Sequence, residues 1–247
     1  MPRLPVPTFL DRAARSGAGP DGDPEPGGEA GADERRRAQI TALAASARRA
    51  GRGAVASGRW LAETVLDVAP RLPVRDAETL SAHHGGRTGD ALARSVVRAA
   101  GRVSGGIAAA TGGLVTAQEV SLAGMVLVPF ELAAATALVV ATEVKLVAEL
   151  HQLAGRPLPG GPRRATEAAI ASWMSGRAAP GGGADVRGDA LGPAGRRRLR
   201  ALLRRRFTRN LSALGPAFTG AVAAGYLNRR ATVAVGTRVA RDLGLRP

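Results

Sequence analysis

From Asp33 onward, apolar residues recur at three- and four-residue spacing, the period of a helix with one buried face. Ile40, Leu43, Ala44 and Ala47 open the pattern. Gly51, Gly53 and Gly58 weaken the middle of this segment. Leu61, Val65 and Val68 carry the face on until Pro70 and Pro73 end it. A second helix is expected from Asp76 or Asp90 into Gly105. Its stripe is Leu92, Val96, Ala99, Val103 and Ile107, with Arg94, Arg98 and Arg102 on the neighbouring solvent face.

The centre of the chain departs from this amphipathic pattern. Gly105 to Ala117 is small and apolar, and Val120 to Ala141 is strongly apolar, with Glu131 as its only charge. A 19-residue window there averages about 2 in mean hydropathy, above the usual transmembrane threshold. Leu146, Leu150 and Leu153 keep helical spacing past Glu143, Lys145, Glu149 and His151, until Gly155 and Pro157 stop the run. An apolar hairpin over 103–154 follows. It is long enough for two tilted membrane passes, or for one pass plus a re-entrant arm. Gly105, Ala109 and Gly113 permit close helix contact there. Arg94, Arg98 and Arg102 before it, and Arg156, Arg163 and Arg164 after it, would both lie on the cytoplasmic side. Pro129 and Glu131 oppose insertion, since an ionised carboxylate near the bilayer centre costs roughly 3 kcal/mol. The same segment reads equally as the buried hairpin of a bundle. Val120, Leu127, Pro129, Phe130, Glu131, Leu132 and Val139 are its candidate residues, with Glu131 expected in a buried hydrogen bond or interhelical pair.

The flanks divide by composition. Residues 1–32 are rich in Pro, Gly and acids and read as a disordered tail. Residues 33–175 read as the helical domain, closed by a short helix from Arg164 to Ser175. Residues 176–195 read as a Gly/Pro linker around Gly181, Gly182 and Gly183. Residues 196–247 hold thirteen arginines against one acid, Asp242, so most of the net charge of +15 lies there. Leu199, Leu202, Leu203 and Phe207 run as an apolar stripe through an arginine-dense helix. A second, small-residue helix with Ala217, Ala221 and Gly225 four apart is expected to pack on the core. The fold class expected is all-α: a helical bundle around a central apolar hairpin, behind a disordered N-terminal tail.

Composition agrees. Aromatics are only 3% of residues, where β-proteins lean on aromatic and β-branched side chains. Lys145 is the only lysine among 35 basic residues, the codon bias of a GC-rich bacterial genome, which discounts part of the arginine excess. Arg197, Arg198, Arg204, Arg205 and Arg209 remain as candidates for binding an anionic surface. Nucleic acid is the weaker partner, because Phe207 is the only nearby aromatic for base stacking.

Catalytic and metal chemistry find no support. With no cysteine, disulfides, thiolate–metal sites and thiol nucleophiles are excluded. His83 and His84 are adjacent and do not share a helix face. Gly17, Gly19 and Gly22 match a dinucleotide-binding spacing, but they sit in the Pro-rich tail with no strand before them. Glu131, Glu143 and Glu149 have no close acid–base partner in the pattern. No catalytic residue, metal site or cofactor is therefore assigned. The start, Met1 to Arg15, lacks the apolar core of a signal peptide. The expected location is the cytoplasm or the cytoplasmic side of the cell membrane, without secretion.

Between Leu80 and Arg241 the chain resembles the EcsC family of bacterial helical proteins. The resemblance is carried by Thr111-Gly112-Gly113, by Pro129-Phe130-Glu131-Leu132, and by Lys145 to Leu150 leading to Ala154-Gly155. Gly215-Pro216, Gly225 to Asn228 and Ala231-Thr232 are similar to the family's closing helix. One departure is that Pro129 precedes Glu131, where the family's proline often follows the acid. The resemblance implies a membrane-proximal hydrophobic hairpin beside a membrane complex, with no catalytic residues to carry over. The function expected is thus non-enzymatic and membrane-associated, with a bilayer or membrane-protein partner. A protein–protein interaction domain and nucleic-acid binding through the C-terminal arginines are the alternatives.

Overall fold

The computed structural model describes residues 26–118, 126–176, 191–212 and 220–247. Among the described residues every regular element is helical. Helices α1 (Pro26–Ala50), α2 (Arg52–Ala56) and α3 (Arg59–Val68) lead through a 3-10 turn (Ala69–Arg71) to α4 (Ala77–His83). Then come α5 (Gly89–Gln118), α6 (Val128–Leu153), α7 (Pro162–Gly176), α8 (Pro193–Ser212) and α9 (Gly220–Asp242). The all-α bundle around a central hairpin, α5–α6, is what the sequence predicts.

The boundaries have local causes. Helix α1 begins at Pro26 rather than at Asp33, so residues 26–32 belong to it and not to the tail. Its proline occupies the first turn, where a missing N–H costs nothing. Gly51 (φ 88°) and Gly58 (φ 74°) adopt the left-handed region and divide the first amphipathic run into three helices. Asp76 and Asp90 each start a helix: Asp76 Oδ1 accepts the Thr79 amide at 2.7 Å and caps α4, and Asp90 lies in the first turn of α5.

Helix α6 is the axis. Every residue from Phe130 to Leu150 except Leu132 is buried. It is surrounded by α1, α3, α5, α7, α8 and α9. Ile40, Leu43 and Ala47 of α1 and Leu61 and Val65 of α3 join it in one continuous core. A helix apolar on all sides needs such a jacket, and each fully buried Leu, Val or Ile contributes about 1.5–3 kcal/mol. The hydroxyls of Thr136 and Thr142 bond back to the carbonyls of Leu132 and Leu138, at 2.7 and 2.9 Å, so they enter the core without an open polar atom.

The apolar run from Val120 to Ala141 is not one membrane-length helix. Helix α6 starts only at Val128, Val120 lies outside the described residues, and Glu143, Lys145 and Glu149 follow within α6. Among the described residues no helix is long and apolar enough to cross a membrane. Leu127, Pro129 and Leu132 are half-buried, Phe130 and Val139 lie in the core, and Glu131 is buried in the first turn of α6. There the helix dipole favours a carboxylate.

Small residues set the α5–α9 contact. A Cβ on Gly105 would stand 3.1 Å from the Gly225 carbonyl oxygen, and one on Gly225 equally close to that of Gly105. The two backbones therefore touch with no side chain between them. Gly105→Leu is expected to destabilise the protein by about 1–3 kcal/mol in urea denaturation, as overpacking does. Gly53→Ala, with nothing within 4 Å of the new methyl, should raise stability by about 0.5–1 kcal/mol.

Candidate functional site

Helix α6 carries two sets of charged side chains on different faces. Glu143 points toward α7, α8 and α9. Lys145 and Glu149, one turn apart, point toward Arg75 in the segment before α4. The two sets differ in how completely they are satisfied.

Glu143 is fully buried. Arg206 of α8 donates to both of its oxygens, Nη1 to Oε2 at 2.8 Å and Nη2 to Oε1 at 3.1 Å. The Trp173 indole of α7 donates to Oε2 at 2.9 Å, and the Thr232 hydroxyl of α9 donates to Oε1 at 3.0 Å. One carboxylate thus gathers donors from three helices. A bidentate guanidinium supplies geometric specificity as well as charge. With its oxygens engaged by four donors and no solvent access, Glu143 acts as a structural clamp rather than as an acid or base.

Arg206 is the residue that sequence reasoning missed. It stands outside the surface candidates Arg197, Arg198, Arg204, Arg205 and Arg209, and the sequence pattern assigns it no role. Its register held the signal: it follows Leu199 by seven residues and Leu203 by three, on the face where Leu199, Leu203 and Phe207 are buried. An arginine in step with a buried stripe needs a buried carboxylate, and Glu143 is in α6, the most buried helix of the bundle.

The second cluster is less balanced. Lys145 Nζ donates to Glu149 Oε1, and Arg75 Nε lies 3.7 Å from the same oxygen. Burial, with Arg75 adding to it, lowers the Lys145 pKa, while Glu149 opposes the shift. His84 pairs with Ser95 (Nδ1 to Oγ, 2.8 Å), and His151 pairs with Ser172 (Nε2 to Oγ, 3.2 Å). Burial is the main cause that lowers the pKa of each histidine. Among the described residues no group of three or more His, Asp or Glu side chains is placed to hold a metal ion.

The arginine helix presents its other faces outward. Arg197, Arg198, Arg204, Arg205 and Arg209 are all exposed, as are Arg196 and Arg200, and α8 contains no acid. Gly58 keeps α8 close to the start of α3, since a Cβ there would lie 2.7 Å from the Arg200 carbonyl oxygen. An open depression of about 680 Å³ at the start of α8 is lined by Leu191, Gly192, Pro193, Arg196, Arg197 and Arg200. The arrangement is a cationic ridge fastened from inside by one buried arginine.

Fold and site together define an all-α protein with a buried axial helix and an arginine-faced outer helix. No family model, curated protein or solved structure matches the chain.

Two stability experiments follow from these contacts. Arg206→Ala strands a buried carboxylate and is expected to cost about 3–5 kcal/mol, whereas the double change Glu143→Leu with Arg206→Met should recover most of that loss. Chemical denaturation of the four proteins in a double-mutant cycle reads this directly. The histidines set the pH response. Because their folded pKa values lie below 6.5, the unfolded chain binds protons more readily, and stability rises as pH climbs toward 6.5. Denaturation midpoints between pH 5 and 7, on the order of the ordinary histidine range, should show that slope, and His84→Asn should flatten it.

Proposed function

We propose that the protein is a non-enzymatic, EcsC-like helical protein that works peripherally at an anionic membrane surface, held there by the arginines of α8. The observation that carries this reading is the ridge itself. Seven exposed arginines stand on one helix that itself contains no acid. Each arginine near an anionic surface contributes about 1 kcal/mol, and the contributions accumulate along the helix.

The burial of α6 favours contact from outside over an inserted hairpin, because its apolar side chains are already spent on the core. The same burial favours a second reading, a helical domain that docks on an acidic protein partner. Both readings use the ridge, and they differ in what meets it.

Co-sedimentation with vesicles separates them. The protein should bind vesicles containing phosphatidylglycerol, ignore pure phosphatidylcholine, and dissociate as salt is raised. Replacing Arg197, Arg198, Arg204, Arg205 and Arg209 together by Gln should weaken binding on the order of a hundredfold or more, given about 1 kcal/mol per charge. Resistance of cellular membranes carrying the protein to both salt and carbonate extraction would contradict peripheral attachment. Preference for double-stranded nucleic acid over the vesicles would contradict the lipid reading.

A further inference from the structure

The arginine ridge of α8 has a basic neighbour from a distant part of the chain. A Cβ on Gly58 would lie 2.7 Å from the Arg200 carbonyl oxygen and 3.2 Å from the Arg204 Cβ. The turn between α2 and α3 therefore rests directly on the middle of α8. Arg59 is the next residue, and it is exposed, as are Arg200 and Arg204. Arginines from both segments thus border one backbone contact.

The chain leading to Gly58 adds to this charge. The Trp60 indole donates to the Ser46 hydroxyl at 3.5 Å, which draws the last turn of α1 against the first turn of α3. Helix α2 packs on both and closes the corner between them. Arg48, Arg49 and Arg52 belong to this corner and are exposed. A Cβ on Gly51 or Gly53 would meet nothing within 4 Å, so the backbone on either side of Arg52 faces open space. No acid occurs between Glu34 and Glu63, and α8 contains none. Glu63, exposed one turn beyond Arg59, borders the corner.

Exposed charges act together within a Debye length, about 8 Å at physiological salt. Like charges gathered on both sides of a helix contact repel each other. Phosphates lying over such a contact relieve that repulsion, and a guanidinium meets a phosphate with two parallel hydrogen bonds.

We propose that the membrane contact is a composite face, in which Arg52 and Arg59 of the α2–α3 corner and Arg200 and Arg204 of α8 meet the phosphates of anionic lipid together. The proposal rests on the membrane-surface reading and deepens it, by turning the α2–α3 corner toward the bilayer along with α8.

Vesicle co-sedimentation of full-length variants tests the corner separately from α8. Arg52→Gln with Arg59→Gln changes only exposed side chains, so circular dichroism should stay unchanged. Partitioning onto phosphatidylglycerol vesicles should fall on the order of thirtyfold. Arg52→Lys with Arg59→Lys keeps both charges and should bind like the parent. Arg94→Gln with Arg98→Gln removes the same charge from exposed positions on α5, which packs on α1 and α9, and should change binding little.

Undiminished binding by the Arg52→Gln, Arg59→Gln protein would overturn the composite face and leave α8 alone as the membrane contact. An equal loss from the α5 pair would overturn it as well, since binding would then follow net charge rather than this face. Absence of vesicle binding in the parent protein would overturn both readings together. Preferential binding of double-stranded nucleic acid that the Arg52→Gln, Arg59→Gln protein loses would assign the face to nucleic acid and overturn the lipid assignment.

Discussion

The structure depends on one buried carboxylate. Glu143 accepts a bidentate guanidinium, an indole N–H and a hydroxyl, and these donors come from α8, α7 and α9. Three helices that are far apart in sequence are thereby pinned to the axis at one level. A carboxylate taken out of water costs several kcal/mol unless its partners are in place. The bundle is thus committed to a single register. If α8 slides by one residue, Arg206 leaves Glu143 and the charge is stranded.

This constraint explains how so basic a helix stays folded against a protein. Helix α8 contains eight arginines within Pro193–Ser212, and their mutual repulsion favours its release into solvent. Leu199, Leu203 and Phe207 supply apolar contact, and the inward Arg206 turns one of the repelling charges into an anchor. The remaining arginines are then held as an outward ridge. The opposite contact, α5 on α9, uses no charge at all. Gly105 and Gly225 let the two backbones meet, and Gly236 lies against Leu146 and Val97. One side of the axis is fixed by electrostatics and the other by the absence of side chains.

The sequence makes some of this legible and hides the rest for physical reasons. Helical periodicity from Ile40 onward, the stops at Gly155 and Pro157, and the small-residue spacing at Gly105 and Gly225 all appear in the pattern, because each acts locally or at a fixed repeat. The start of α1 at Pro26 is hidden, since Pro, Gly and acids mark a coil by composition even where a helix absorbs them. Hydropathy also cannot tell a bilayer from a protein jacket: Phe130 and Val139 look the same in either medium. The clamp is the deepest miss. Glu143 and Arg206 are 63 residues apart, and nothing local distinguishes Arg206 from its neighbours except its phase with Leu199 and Leu203.

Glu143 holds the arginine helix against the bundle. Amide hydrogen exchange on the Glu143→Gln protein tests it most directly, because the neutral amide keeps the size of the side chain and removes its charge. A selective loss of protection is expected in α8, above all around Leu203 to Phe207, with smaller losses near Trp173 and Thr232 and little change in α1 or α5. Protection of α8 equal to that of the parent protein would contradict it, and would mean that the apolar stripe alone keeps the helix in place.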